Sequence, residues 1–526
     1  MVFKRKHKAL GMAILMVLAL SACSESKNSG GTGENSDISN QEMKSAERPK
    51  ISVLAANAYG FTPNVSNWDD NIYVKKLEEL TGTDLKIEFM SGTDYETQLS
   101  LRFASKELAD LVYTTRIDSP AHSGAVEQGA IWELNELIDK YGPNLKAKIP
   151  EAAWKSPDVS KNGKIYAIPA VVPHPHTTAL YIREDWLKKL NMSMPKTLDD
   201  WLAYFEGVKK EYNAYGFMVR ENFSSSTAFF YEFGVMMDYW VKQGDEFVPS
   251  VITPNMKDAM TFWRKLYKNG YIPPNAFTNK FADWQAGIVN GKAGSWLHFV
   301  DNLGTFWAPS MFVGQPDAKP TIVEPPVGPK GQGLGLANPG LYYAWIIPKS
   351  VKDPERIIKF LDANWGNPEV QKFISYGIEG YNYEVVDGKI KWDPESPNNV
   401  KDPQNPERTL YQINMNFTGH SINNNEQVKM SPFAEPLMRG FDISEKYKIK
   451  NEAMYMPVLE AFKKRPELMP NFGNGDTLLA DMFAKVLTSD VDIDSEFDKF
   501  VKEWRSRGGD EAIKQATEWH KQFYGN

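Results

Sequence analysis

Ile51-Ser-Val-Leu-Ala-Ala56, Leu85-Lys-Ile-Glu-Phe89 and Ala109-Asp-Leu-Val-Tyr113 are three short runs whose spacing and separators decide the fold. The first is apolar and reads as a buried strand, the second alternates apolar and polar residues, and the third ends at Thr114 and Thr115. Between the first two, Trp68 to Leu80 has the spacing of an amphipathic helix that stops at Gly82. Tyr95 to Ser105 repeats that pattern before the third run. Strand, helix, strand, helix, strand predicts a parallel sheet covered by helices, an α/β architecture. Ligands of such sheets sit in the crevice beyond the carboxyl ends of the strands, which here are Asn57 to Phe61, Met90 to Asp94 and Thr114 to Arg116.

Downstream, Gly163-Lys-Ile-Tyr-Ala-Ile-Pro-Ala-Val-Val-Pro-His-Pro-His176 is extended, because Pro169, Pro173 and Pro175 forbid a helix. An extended crossing between two helix-rich regions predicts a hinge strand. It leads into Leu180-Tyr-Ile-Arg-Glu-Asp-Trp-Leu187, where Arg183 and Asp185 read as structural residues that open a helix. In Pro195-Lys-Thr-Leu-Asp-Asp-Trp201, Thr197 is a good N-cap with Asp200 three residues on, close to a capping box. Helices are expected over 255–268, 281–290, 354–365 and 368–376. A second extended stretch is expected over 341–348, and a mostly helical region from about Asp476 onward. No internal repeat is visible.

Upstream, a basic cluster (Lys4, Arg5, Lys6, Lys8) precedes an apolar run from Ala9 to Leu20. Crossing a membrane takes about 20 apolar residues, so this run reads as an export signal. Leu20-Ser-Ala-Cys23 follows and resembles the bacterial lipobox, which implies acylation of the Cys23 thiol and cleavage just before it. Cys23 is the only cysteine among 526 residues, so it has no internal disulfide partner in an exported chain. Ser24 to Arg48, rich in Ser, Gly, Asn, Glu and Lys, reads as a flexible tether. The remaining ~480 residues exceed one hydrophobic core and suit two lobes. A content of 42% hydrophobic and 13% aromatic residues points to a well-packed globular body. No second apolar run approaches membrane-spanning length. The formal charge is −7. Without the cationic leader it is roughly −11, which argues against nucleic acid or an anionic polymer as main partner.

Gly163-Lys-Ile-Tyr-Ala-Ile-Pro169, Tyr181-Ile-Arg-Glu-Asp-Trp-Leu187 with Pro195-Lys-Thr-Leu-Asp-Asp-Trp201, Gly291-Lys-Ala-Gly294, and Tyr376-Gly-Ile-Glu-Gly-Tyr-Asn-Tyr-Glu384 with Asp387-Gly-Lys389 occur in this order. In that order they resemble the family 1 extracellular solute-binding proteins of bacterial ABC transporters, and within them the long LipO-type branch that includes alginate-oligosaccharide binders. The likeness covers essentially the whole chain after the leader. It implies a two-lobed, periplasmic-binding-protein-like (type II) α/β fold with discontinuous lobes joined by hinge strands. Residues 1–22 would be the signal peptide and 23–48 the tether. The first lobe would comprise 49–172 and 343–445, and the second 173–342 and 446–526. Crossings are expected near Pro169 to Thr178, near Tyr342 to Pro348, and between about Phe441 and Gly475. The function implied is capture of an oligosaccharide by hinge closure and delivery to the permease subunits of an ABC importer. The protein would be a non-enzymatic monomer without cofactor, held by its Cys23 lipid at the extracytoplasmic face of the cell membrane. Members of that branch often carry a calcium loop after the Pro-x-Thr-x-Asp stretch. Here Phe205-Glu-Gly-Val-Lys-Lys-Glu-Tyr-Asn-Ala-Tyr-Gly216 has too few oxygen ligands, so no calcium site is carried over.

Sugars present apolar ring faces edged with hydroxyls, so their sites need aromatic platforms and polar groups of both donor and acceptor type. With 15 Trp and 23 Tyr available, position selects the candidates. Trp296 follows the Gly-Lys-Ala-Gly turn and precedes His298 and Asp301, a place that the resemblance implies is a cleft wall. Tyr59, Thr114, Tyr376, Glu379 and Tyr381 sit on loops expected to face the cleft from the first lobe. Glu379 could accept hydrogen bonds from sugar hydroxyls or fix its own loop. Trp240, Trp284 and Trp345 complete the set.

The rival readings are a lipid-anchored glycoside hydrolase, which needs two carboxyls about 5 to 9.5 Å apart, and a binder of peptide or metal. The metal reading comes from His174 and His176, whose spacing puts both rings on one side of an extended strand. Asp490-x-Asp492-x-Asp494 reads as a helix N-terminus, because Ser495 and Val501 stand where a calcium loop needs glycine and a bidentate acid. Gly331-Gln-Gly-Leu-Gly335 reads as a flexible loop. His-Glu-x-x-His, Gly-x-Ser-x-Gly and Walker motifs are absent.

Overall fold

The computed structural model describes residues 48–57, 67–91, 94–172, 174–393, 395–399, 411, 415–419 and 425–525. Cys23 and Tyr59 lie outside the described residues. Nine strands organise two sheets: β1 (Lys50–Asn57), β2 (Asp84–Ser91), β3 (Leu111–Thr114), β4 (Ile168–Val171), β5 (Thr178–Arg183), β6 (Tyr215–Phe217), β7 (Ala293–Phe299), β8 (Pro320–Val323) and β9 (Leu341–Ile346).

The first sheet has the order β2-β1-β3-β9-β4. β1 pairs in parallel with both β2 and β3, as the strand–helix alternation predicts, while β9 runs antiparallel to β3 and β4. Both faces are covered, and the alternation of side chains across a strand shows it. Ile51, Val53 and Ala55 enter one core with Leu111, Tyr343 and Trp345, while Leu54, Val112, Ala344 and Ile346 enter the other. The helix Ile72–Thr81 lies against the first of these cores. Asn71 caps it by accepting the Tyr73 amide, and Gly82 ends it in the left-handed conformation.

The second sheet has the order β8-β5-β7-β6, with β5 antiparallel to β7 and β8 and β6 parallel to β7. It is buried in a single aromatic-rich core that includes Trp201, Trp263, Trp296 and Trp307. The C-terminal helices Leu478–Thr488, Ile493–Trp504 and Asp510–Tyr524 join this core through Phe483, Phe500, Trp504 and Ile513. The capping box at Thr197 is complete: its Oγ1 accepts the Asp200 amide, and Asp200 accepts the Thr197 amide at 2.9 Å. Asp492 caps the helix Ile493–Trp504 by accepting the Ser495 amide.

The two lobes divide the chain at places other than those expected. β9 is a strand of the first sheet, so the second crossing precedes it, between Leu336 and Leu341, rather than running through 342–348. Met415 and Phe417 belong to the first lobe's core, whereas Val428, Leu437 and Phe441 belong to the second's. Core membership therefore passes from the first lobe to the second after Phe417 and before Val428, earlier than expected, and the helix Ala434–Lys446 is second-lobe structure packed on β5 and β8. The Gly331–Gly335 loop is not loose. A Cβ on Gly331 would stand 2.5 Å from the Tyr231 carbonyl, and the loop ends in a short pairing of Gly335 and Leu336 with Lys448 and Ile449.

Candidate functional site

The first two crossings lie at the same end of the first sheet, where Leu341 pairs with Val171. β4 ends at Val171 and β5 begins at Thr178, while β9 begins at Leu341 on the same side. Main-chain bonds tie the three crossings together. The Val172 amide donates to the Gly340 carbonyl at 3.0 Å, and the Val171 amide donates to the Thr418 carbonyl at 2.8 Å. Asn338 Nδ2 donates to the Pro175 carbonyl at 2.9 Å. Gly419 pairs with Val171 at a φ of 142°, where a Cβ would stand 1.7 Å from the Val171 oxygen, so only glycine fits. The histidines of the first crossing dock on the helix Ala434–Lys446. His174 stacks on Phe441 at 4.0 Å, and His176 Nε2 lies 3.8 Å from Glu445. Their rings thus serve separate partners, and among the described residues no cluster of His, Cys, Asp or Glu could hold a metal ion.

Beside the crossings, the second lobe carries two neighbouring cavities. One, of about 290 Å³, is lined by Thr178, Ser225, Thr227, Met236, His298 and Phe299 among others. The other, of about 220 Å³, includes Trp240, Asn338, Asn451 and Met456. Asp238 lines both. The wall is made by the 222–238 segment, in which Asn222, Phe223, Ser225, Phe229 and Asp238 all take positive φ, strain of the kind that concentrates at functional sites. Among the described residues, the hydroxyls of Thr178, Ser225 and Thr227 have no partner. Asp238 is exposed, and Asn471 Nδ2 donates to its two oxygens at 2.9 and 3.1 Å. Desolvation in the concavity pushes its carboxyl up to about 6, with the Asn471 hydrogen bond opposing. Burial, then the Arg220 charge, pull His298 down to about 4, so the ring is neutral at pH 7. Phe299 is 49% exposed at the end of β7.

The first lobe contributes a cavity of about 560 Å³ lined by Tyr381, Asn382, Glu384, Lys391, Trp392 and Asp393 among others. It sits on the hairpin Tyr383–Val386 and Lys389–Trp392, which Asn382 ties to Tyr73 at the start of the helix Ile72–Thr81. Across from the first lobe, Lys463 faces Asp118 without closing an ion pair. Desolvation raises the Asp118 carboxyl, but the Arg116 hydrogen bond and charge outweigh it, with help from Lys463, and hold it below its ordinary value.

Concavities lined by hydroxyls in the second lobe and by aromatic rings in the first suit binding, and the sequence profile described as bacterial extracellular solute-binding protein matches residues 64–372. The chain belongs to this family. This solute-binding protein is 27% identical over 464 residues to the polygalacturonan/rhamnogalacturonan-binding protein YtcQ of Bacillus subtilis (strain 168), covering 85% of this chain and 88% of that one. It is 24% identical to lipoprotein LipO of the same organism, with 98% of each chain covered. Its fold matches the Streptococcus pneumoniae ABC-transporter substrate-binding protein FusA in complex with kestose, with a TM-score of 0.64 at 20% identity over 91% of this chain and 100% of that one.

In this solute-binding protein the residues expected to bind ligand are dispersed. Tyr381 and Trp240 line cavities. Glu379 is exposed two residues before Tyr381 and accepts from the Tyr383 hydroxyl at 3.3 Å, which fixes its own loop. Trp296 and Trp284 are 0% exposed. Tyr181 stacks on Trp296 at 5.2 Å, and Trp284 donates to the Met218 carbonyl, so neither ring has a face left for a ligand. Trp345 is buried with its Nε1 donating to the Phe417 carbonyl at 3.1 Å, Tyr376 is buried beside Tyr383, and Asp301 is half-buried at the end of β7. Thr114 is fully buried, donating to the Arg116 carbonyl at 2.9 Å and meeting His122 Nε2 at 2.9 Å. Arg183 is structural, forked onto Asp185 at 2.9 and 2.7 Å. Sequence reasoning missed Ser225, Thr227, Asp238 and Phe299. The signals were a run of four hydroxyl residues at Ser224–Thr227 and an acid set between Met237 and Tyr239.

Proposed function

We propose that this solute-binding protein captures an oligosaccharide between its lobes and hands it to an ABC importer, acting as a monomer anchored through Cys23. The observation that carries the reading is the second-lobe wall, where three unpartnered hydroxyls, a carboxylate and an exposed phenyl ring surround one concavity. Hydroxyls and a carboxylate suit the rim of a sugar, and an exposed ring suits its apolar face. The likeness to YtcQ and FusA supports the same class of ligand. The second-lobe cavities hold a single carboxylate, Asp238, whereas glycoside hydrolysis uses two. The three crossings supply the hinge, and closure couples to ligand only if the closed form binds it better than the open one.

The anchor is supported by Leu-Ser-Ala-Cys at 20–23 and by the full-length likeness to a lipoprotein. A lipid and a polar tether would raise the local concentration of the binding body at its permease. A panel of oligosaccharides, with peptides and transition metals as controls, tests the reading by thermal shift and tryptophan fluorescence. At least one sugar is expected to raise the Tm and be recovered uncut. Binding of a peptide or metal with no response to any sugar would overturn it. Cys23→Ser is expected to leave binding by the purified protein unchanged and to release the protein from the membrane fraction of cells; retention there would overturn the anchor.

A further inference from the structure

Given an oligosaccharide ligand, as proposed above, we infer that the cleft takes uncharged oligosaccharides and rejects uronate-rich ones, with Asp238 as the discriminating residue. A uronate carboxylate is held by guanidinium, ammonium or convergent N–H donors. Neither second-lobe cavity is lined by a lysine or arginine, and Asp238 is the one formal charge they share. Arg220, whose charge acts on His298, and Arg116 on the first lobe are both engaged. Arg220 forks onto Glu221 at 3.1 and 3.0 Å, and Arg116 forks onto Asp118. His298 is neutral and adds no positive charge. In the first-lobe cavity the one cation, Lys391, is outnumbered by Glu384 and Asp393. Each of these three cavities is therefore lined by more acidic than basic side chains.

An anionic sugar placed here would sit against the Asp238 carboxylate with no lysine or arginine on either cavity wall to offset the repulsion. A neutral sugar meets the opposite situation. An ionised carboxylate is acceptor-only, with about four lone-pair directions, and can take two adjacent hydroxyl donors at once. Asn471 bridges both Asp238 oxygens and fixes the side chain's direction, leaving further lone pairs for the ligand. The positive φ of Asp238 holds the residue on the wall at the junction of the two cavities.

Isothermal titration of the full mature chain with neutral gluco-, manno-, xylo- and galacto-oligosaccharides and with oligogalacturonides of matched length separates the possibilities. A neutral sugar binding at least about tenfold more tightly than any oligogalacturonide supports the inference, the loss of one charged contact being worth about that factor. Oligogalacturonides binding as tightly as the best neutral sugar, or more tightly, overturn the selectivity while leaving the oligosaccharide reading standing. No sugar of either class binding overturns that reading itself. Asp238→Asn, with its Tm checked, is expected to weaken the neutral ligand about tenfold and narrow the gap to oligogalacturonides. Unchanged affinity for both classes would remove Asp238 from the site. The wild-type comparison decides the selectivity even if the variant does not fold.

Discussion

Glu232 is 1% exposed, and neither of its carboxylate oxygens has a hydrogen-bond partner among the described residues. Burial lifts its carboxyl to about 8. A folded-state value above the unfolded one means that the native state binds the proton more tightly, so this group lowers stability progressively as pH rises from the ordinary carboxylate range to about 8. Glu232→Gln is therefore expected to raise stability by roughly 2–4 kcal/mol at pH 8 and by little near pH 4.5, read from urea unfolding at both values. Trp296 makes a second test. With Tyr181 on one face and Trp307 at 5.4 Å, its removal leaves a cavity, so Trp296→Ala is expected to cost about 3–5 kcal/mol. Trp296→Phe should fold and bind sugar with wild-type affinity. At this scale the sequence was least legible. Aromatic identity points equally to core and platform. Phe299 differs from Trp296 only in standing at the last position of the same strand, where burial runs out.

Elements were far more legible, because periodicity and caps are local. The helices Tyr95–Ser105, Asn255–Lys268 and Pro368–Tyr376 lie where their patterns place them. The helix expected from Trp68 starts at Ile72 instead, since Asn71 takes the N-cap and turns the preceding residues into a loop. Thr197→Ala, which removes one half of a complete capping box, is expected to lower stability by about 1 kcal/mol in thermal or urea unfolding. The crossings were harder to place. Apolar extended residues describe a hinge and a sheet strand alike, and Leu341–Ile346 proved to be the latter. Gly419 carries a sharper expectation. With a Cβ 1.7 Å from the Val171 oxygen, Gly419→Ala must push the first and third crossings apart, and a loss of about 2 kcal/mol or more is expected, with weakened ligand binding as the hinge loosens.

For the molecule as a whole, the sequence made two lobes legible, because 480-odd residues exceed one core, and in the first lobe the parallel pairing that strand–helix alternation predicts, but not the order of strands in either sheet. The return points of the chain were not legible, because they depend on which core claims each helix. Phe441, expected in the first lobe, packs in the second. Lys463 lies close enough to Asp118 for its charge to help lower that carboxyl without an ion pair between them, and the proposed closure would bring the two nearer. Lys463→Glu is expected to weaken ligand binding about twofold to fivefold at low salt, an effect that shrinks at high ionic strength, measured by titration in both buffers. The crossings themselves are held chiefly by main-chain amides and carbonyls, which every residue but proline can supply. Side chains of the cavities can thus be exchanged without touching the bonds that join the lobes. Gly419 is the exception, a position among those bonds where the side chain itself is dictated by the backbone opposite.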